Sequence, residues 1–343
     1  MRRWMWMICF CFLGFCSCSH RELTDMNERR YIRVYLDEAI RNVRFGFYDE
    51  NRTKPAYRSP EVIRAVFFHP EDGSIVSETY LQNKGVDERG TYIDGYVALK
   101  SGDYHLLMYN FDTESVHVRE EYNFYNMMAY TNPVSANMSK MKGKVVYEPD
   151  HFFREECELV HVDFLTDTLR TAENSFFEAT TCVKSYYIQI NVKGAEYVSS
   201  AVAFLSGMAG SVRLCDGQKN EEDPVSVSFT LNPEREKMVR GEVIEAYTTF
   251  NTFGKLEGQE NYLTITFEFY TRDGRTFTEE VRITDLFKTE LVRVNQWIIL
   301  DKTIVISPPL DDDPNDNDDN GGNGGGMDPE VEEWVNVKGD IYL

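Results

Sequence analysis

Residues 262–270 (YLTITFEFY) place Leu263, Ile265, Phe267 and Phe269 on one face of an extended chain and Thr264, Thr266 and Glu268 on the other. A side-chain period of two belongs to a strand with one buried face and does not fit the 3.6-residue period of a helix. Asp273-Gly274 follows, then Phe277, Val281 and Ile283 on a returning strand, so the segment reads as a hairpin closed by a turn-forming dipeptide. A second hairpin is written in residues 62–68, Asp72-Gly73 and residues 75–81. Further strands are expected over 96–99, 104–111, 184–192, 225–231 and 297–306. Helical signals are sparse: 119–129 reads as a short helix and 234–239 as a single turn. Short strands spaced by Gly, Asp and Asn turns predict an all-β chain of sandwich type rather than a parallel α/β sheet. Aromatic residues at 13%, mostly Tyr and Phe, suit such pleated, half-buried surfaces, and 42% hydrophobic residues are ample for two cores.

The first 18 residues read as an address. Met1-Arg2-Arg3 is a short positive region, residues 4–15 are almost wholly apolar, and Phe15-Cys16-Ser17-Cys18 ends the run with small residues before a cysteine. An apolar stretch of about a dozen residues is an export signal, too short to span a bilayer. Its close resembles the bacterial lipoprotein box, in which the cysteine is acylated and becomes the new N-terminus. That resemblance makes Cys18 the expected lipidation site, with Cys16 a weaker rival, and it implies outer-membrane attachment. Phe15, where Leu is usual, departs from the pattern. The expected organisation is a signal peptide over 1–17, a polar tether over 18–30, β-sandwiches over 31–165 and 166–310, and an Asp/Asn/Gly-rich linker over 311–326. A C-terminal strand segment over 327–343 ends the chain. The domain boundary is placed where patterning lapses, between Asp163 and Thr181. In the last segment Val331, Val335 and Val337 alternate with Trp334. Such a tethered strand can dock on its own second domain or on a neighbour, and tethering favours the first.

Charge and motif content exclude several functions. A net charge of −21 sets the surface against phosphate backbones and anionic lipid, so no nucleic acid is expected and the membrane is met through the N-terminal lipid. Beyond the leader only Cys157, Cys182 and Cys215 remain, too few and too scattered for a disulfide framework or a CxxC metal site. One bridge among them is open, and the sequence does not say which pair. Asp316, Asp318, Asn320 and Gly321 match the opening of a calcium loop, but Met327 stands where the bidentate Glu belongs, so no metal is expected. His20, His69, His105, His117, His151 and His161 show no HExxH or i,i+4 spacing, and His161 with Asp163 reads as a structural pair on one strand face. No G-x-S-x-G elbow, P-loop or G-x-G-x-x-G is present, and Glu155 and Glu156 are ordinary among 57 acids. The chain therefore reads as a non-enzyme without catalytic residues or cofactors. Tyr122, Phe124, Tyr125 and Tyr130 cluster with Asn123 and Asn126 and could stack on and hydrogen-bond a sugar, core packing being the plainer reading.

The leader, residues 99–110 (LKSGDYHLLMYN) and residues 205–217 (LSGMAGSVRLCDG) together resemble a family of Bacteroidales fimbrial anchor and minor-subunit lipoproteins. The family is FimB-like and includes a lineage known only as a domain of unknown function. The resemblance runs from about residue 18 to residue 310. It implies two tandem transthyretin-like β-sandwiches, here with short helical insertions, and a role in attaching or capping protein fimbriae through β-strand contacts between subunits. The acidic linker and its trailing strand depart from the family's plan. A surface lipoprotein that binds polysaccharide through exposed aromatics would share the leader and the sandwiches, and is the alternative reading.

Overall fold

The computed structural model describes residues 28–36, 59–135, 143–165, 168–169, 176–233, 241–257 and 263–309. The chain opens with β1 (Arg29–Leu36), β2 (Ile63–Phe68), β3 (Ile75–Leu81), β4 (Asn83–Asp87), β5 (Gly90–Ala98) and β6 (Gly102–Asn110). Three short strands follow, β7 (Val116–Arg119), β8 (Met128–Thr131) and β9 (Val145–Tyr147), then β10 (Phe153–Val162) and β11 (Phe177–Thr181). The remainder holds β12 (Lys184–Lys193), β13 (Val198–Ala209), β14 (Ser211–Arg213), β15 (Pro224–Thr230), β16 (Asn232–Pro233), β17 (Val243–Thr252), β18 (Thr264–Thr271), β19 (Thr276–Arg282) and β20 (Trp297–Val305). Among the described residues helix is scarce: α1 (Glu290–Asn295) and two 3-10 turns, Ala195–Tyr197 and Leu286–Lys288. The described residues up to Ile306 group as one compact unit.

The first sheet has eight strands in the order β3-β2-β6-β10-β11-β1-β5-β4, antiparallel except for β1 beside β11. It nearly closes into a barrel. β4 pairs with one end of β5, while β3, immediately before it, lies along the other end. There the Ser77 hydroxyl donates to the Ala98 carbonyl at 3.0 Å and the Thr79 hydroxyl to the Tyr96 carbonyl at 2.9 Å. Gly95 sits at the crossing, where a Cβ would stand 3.0 Å from Leu81 Cδ2. Closure removes open sheet edges, which would otherwise recruit other chains. The interior is filled by alternate residues, Ile32, Val34 and Leu36 of β1, Ala65 and Phe67 of β2, and Leu106 and Met108 of β6. β2 and β6 are buried on both faces, which is why residues 63–68 form a continuous apolar run instead of an alternation.

Two further sheets, β16-β17-β12-β20 and β19-β18-β13-β15-β9, face each other across one core, a β-sandwich. Ile188, Ile190, Ala246, Ile298 and Leu300 meet Ala203, Leu205, Val227, Ile265 and Phe267 there. Both hairpins read from sequence form as expected. At the first, Gly73 adopts φ +70° and the Asp72 carboxylate accepts from Ser74 N at 2.9 Å. At the second, Gly274 adopts φ +82° and Thr271 N donates to the Arg275 carbonyl at 2.9 Å. The polar face of β18 is more covered than alternation implies, since Thr266 and Glu268 are buried and Glu268 accepts from the Tyr270 hydroxyl at 2.5 Å.

The expected helix over 119–129 does not form. The segment instead runs from the end of β7 through tight turns into β8, and β8 pairs with β14. Asn123 explains the outcome: its amide donates to the Asp72 carbonyl at 2.9 Å and accepts from Tyr125 N at 3.0 Å. Phe124 N donates to the Gly73 carbonyl at 2.9 Å. Such local side-chain bonds compete with helix formation. Phe124, Met127 and Ala129 then bury in a third apolar cluster with Phe68 and Tyr109 of the barrel wall, Ala209 at the end of β13, and Val212 and Leu214 beyond it. Sheets and sequence interleave: β9 pairs with β15 of the sandwich, and β11 pairs with β1 and β10 of the first sheet. The turn expected over 234–239, the acidic linker and the C-terminal strand segment lie outside the described residues.

Candidate functional site

Two kinds of feature can receive a partner: the flank of the sandwich and two adjoining clefts. Of the four outer strands, β16 is two residues long and ends in Pro233, which offers no N–H, and β9 is three residues long. Both are blunted edges. On the opposite flank β19 and β20 are seven and nine residues long, and Lys302 of β20 pairs with Glu279 of β19. The register of β20 against β12 shifts after Leu300, so Asp301 and Lys302 bulge outward before pairing resumes at Thr303. Charged residues and a bulge are devices that restrict indiscriminate strand addition. Thr303 and Val305 lie exposed beyond them. A long edge with limited access is a place for a selected strand to add by main-chain hydrogen bonds.

The first cleft, of about 630 Å³, lies beside β7, β8 and β14 and is lined by Arg119, Glu120, Tyr125, Asn126, Arg213 and Gln218, among others. Glu120 holds φ +56°, a left-handed conformation that is unusual for a residue with a side chain. Arg213 is fixed by Asp216, whose Oδ1 accepts from Nε at 3.0 Å, and by the Gln218 side chain at 2.8 Å. Glu221 on the rim accepts from Glu257 N at 3.2 Å through Oε1, while its Oε2 is buried without a hydrogen-bond partner. The second cleft, of about 490 Å³, shares Lys219 with the first and is lined chiefly by cations.

The aromatic cluster read from sequence is divided by the fold. Phe124 is 2% exposed and stacks on the His105 ring with centroids 4.6 Å apart, so it belongs to the core. Tyr125, half-exposed, brings its hydroxyl within 3.0 Å of His105 Nε2 and lines the first cleft with Asn126. Tyr122 is exposed, and Tyr130 packs against His117 with centroids 5.8 Å apart. These side chains present no single aromatic face.

The other sequence candidates find structural partners. His161 pairs through Nδ1 with Asp103 across the strands at 2.6 Å, which raises its pKa, and Asp163 adds a smaller effect. Cys182 and Cys215 are both free thiols, and burial pushes the Cys182 thiol up to about 12. The side chain of Cys157, together with Cys18 and Asp316, Asp318, Asn320, Gly321 and Met327, lies outside what is described. Glu155 is raised to about 7 by burial. Glu156 pairs with Arg154, whose guanidinium also donates to the Leu214 carbonyl at 2.7 Å. Among the described residues no group of three or more His, Cys, Asp or Glu side chains could hold a metal, and no helix is long and apolar enough to cross a membrane.

Comparison with known proteins fixes the family. Residues 17–230 match the family described as a domain of unknown function, DUF5119. The chain belongs to this family. Over 150 residues it is also 24% identical to a Bacteroides ovatus protein named as a fimbrium anchoring subunit, Fim4B, an alignment covering 44% of this chain. The chain spans 41% of that relative's length. Among solved structures, one of a Bacteroides ovatus protein called an adhesin superposes with a TM-score of 0.53 at 19% identity, covering 85% of this chain and 99% of that one, so the fold is shared. The fimbrial anchor protein Mfa2 of Porphyromonas gingivalis covers 81% of this chain and 90% of its own at 13% identity and a TM-score of 0.45. What these comparisons establish is membership of the DUF5119 family and a fold shared with a solved Bacteroides ovatus structure.

Proposed function

We propose that this chain is a lipid-anchored outer-membrane protein that acts as an anchor or accessory subunit of protein fimbriae, holding its partner by β-strand addition. The observation that carries the reading is the 150-residue similarity to a protein named for fimbrium anchoring. The long, guarded flank formed by β19 and β20 supplies a surface suited to such contacts. The nearly closed eight-stranded sheet and the sandwich are, in this reading, variants of the tandem transthyretin-like arrangement, with a division near residues 165 and 166 that β9 and β11 cross. The segment 327–343 is a strand that docks on its own chain or serves a neighbour. Nothing in this role needs catalysis, and the relatives bear names of structural and adhesive proteins.

Attachment is the part of the proposal that one residue decides. Cells fed a fatty-acid probe should label the wild-type chain, and Cys18→Ser should abolish labelling and leave an uncut precursor. A wild-type chain that takes up no label contradicts the lipid anchor. The polysaccharide-binding alternative loses its original basis, because the sequence-read aromatics do not form one platform.

A further inference from the structure

In an acidic chain the most unusual surface is the second cleft, at the end of the sandwich where β12 and β20 begin. Lys184, Lys219, Lys255, Lys288 and Arg293 line it with one carboxylate, Glu257, although the whole chain carries a net charge of −21. Among the described residues most of these cations enter no internal ion pair. Lys288 pairs with Asp285 at 2.7 Å, and Lys219 Nζ donates to the Lys255 carbonyl at 2.9 Å. Among the described residues Lys184, Lys255 and Arg293 enter no ion pair. The Lys219 ammonium has its pKa lowered by burial and by the neighbouring Lys184 and, less, Lys255; Glu257 and Glu221 offset this only in part, which leaves room for a further anion.

A second observation points into the same space. Tyr186 of β12 is 5% exposed, its ring packed against Phe250 at 5.8 Å and Phe287 at 5.5 Å between centroids. Its hydroxyl makes no hydrogen bond among the described residues although the residue lines the cleft. Burial pushes it up to about 12, so it stays protonated and can donate. The hydroxyl is not sealed off from solvent, so water or a ligand entering the cleft can accept from it. Gln296, held in the left-handed region at φ +58°, lines the same cleft and brings an amide that can both donate and accept.

We propose that this cleft binds an anionic saccharide, a sugar unit bearing a carboxylate or sulfate. The lysines and Arg293 would take the acid group, the Tyr186 hydroxyl and Gln296 amide the ring hydroxyls, and Phe287 the apolar sugar face. The volume of about 490 Å³ falls in the small-molecule range of about 300–1,000 Å³. With an aromatic wall, that volume favours a compact sugar over an extended acidic peptide. The inference is independent of the fimbrial role.

Calorimetric titration of the purified full chain with digalacturonate, with neutral digalactose, and with a peptide of sequence DDDPNDNDD tests it. Digalacturonate should bind and the other two should give no heat of binding. Tyr186→Phe should weaken binding by about three- to tenfold, one hydrogen bond, without lowering the melting temperature. Lys184→Gln with Lys255→Gln should weaken it by about tenfold or more, and more so at low salt. Equal heats from the neutral sugar, binding of the peptide but not the sugar, no heat from any probe, or full affinity in the double lysine variant would each overturn the assignment.

Discussion

Gly194→Ala is expected to cost about 3–5 kcal/mol, a far larger effect than alanine causes at other turn glycines of this chain. Gly194 follows β12 and holds φ +82°. A Cβ there would stand 2.2 Å from the carbonyl oxygen of Ile306 and 3.1 Å from its carbonyl carbon. The left-handed backbone alone costs a residue with a side chain about 1–2 kcal/mol. The clash adds more, because it is with main chain that no rotamer change can remove. Ile306 N also donates to the Lys193 carbonyl at 2.8 Å, so relief means peeling the end of β20 from β12. Ile304 and Ile306, 5% and 2% exposed, would then lose burial worth about 1.5–3 kcal/mol each if fully exposed. Gly274 is the control: its φ is +82°, but nothing lies within 4 Å of its would-be Cβ. Gly274→Ala should cost only the backbone penalty of about 1–2 kcal/mol. Thermal denaturation of the two variants side by side checks this, and equal small losses would show that the β12–β20 junction is not tightly packed.

The second large effect is a dependence of stability on pH between about 4.5 and 7. Burial pushes the carboxyls of Glu148 and Glu155 up to about 7. Glu148 accepts from Asn251 N at 3.1 Å, and Asp150 nearby raises it further. A raised folded-state pKa means that the native chain binds protons more tightly than the unfolded one. The contribution to stability is full below the unfolded value and is lost as pH rises through about 7. Each group is worth about 2–3 kcal/mol across that window. His161, raised by Asp103, acts in the same direction, whereas His151, lowered by burial, opposes it. Glu148→Gln keeps an acceptor for Asn251 and removes the buried charge. It should raise the melting temperature by about 3 °C or more at pH 8 and change it little at pH 4.5. An equal shift at both pH values would mean that Glu148 is not the titrating group.

Much of the fold was legible because its strands alternate. The β18–β19 hairpin needed only its face of Leu263, Ile265, Phe267 and Phe269 and the Gly274 turn to be found; β3, β12, β15 and β20 followed from similar patterning, and β2 and β6 from short apolar runs buried on both faces. β10, apart from its end at His161, and β13 and β17 were not, for separate reasons. β10 (FREECELVHV) carries charges along its length, β13 (VSSAVAFLSGMA) is built of small residues and shifts register between Leu205 and Met208, and β17 (VIEAYTTFNT) is rich in threonine. Closure of the eight-stranded sheet rests on pairing between strands far apart in sequence, β11 against β1 above all, which periodicity does not encode. The segment 119–129 misled because helix spacing and tight turns place similar residues at similar intervals, and the Asn123 amide decided between them. The basic cleft had no sequence signature. Lys184, Lys219, Lys255 and Arg293 are each ordinary surface residues, and only the topology of the sandwich brings them to one rim.

The role in fimbrial attachment is tested most directly by where the fimbriae end up. Fimbriae should be counted in the cell-bound fraction and in the medium for cells carrying wild-type chain and for cells carrying Cys18→Ser. The account predicts that fimbriae stay with wild-type cells and appear mainly in the medium of the variant, at unchanged total amount. Fimbriae that remain cell-bound to the same extent in both would contradict it.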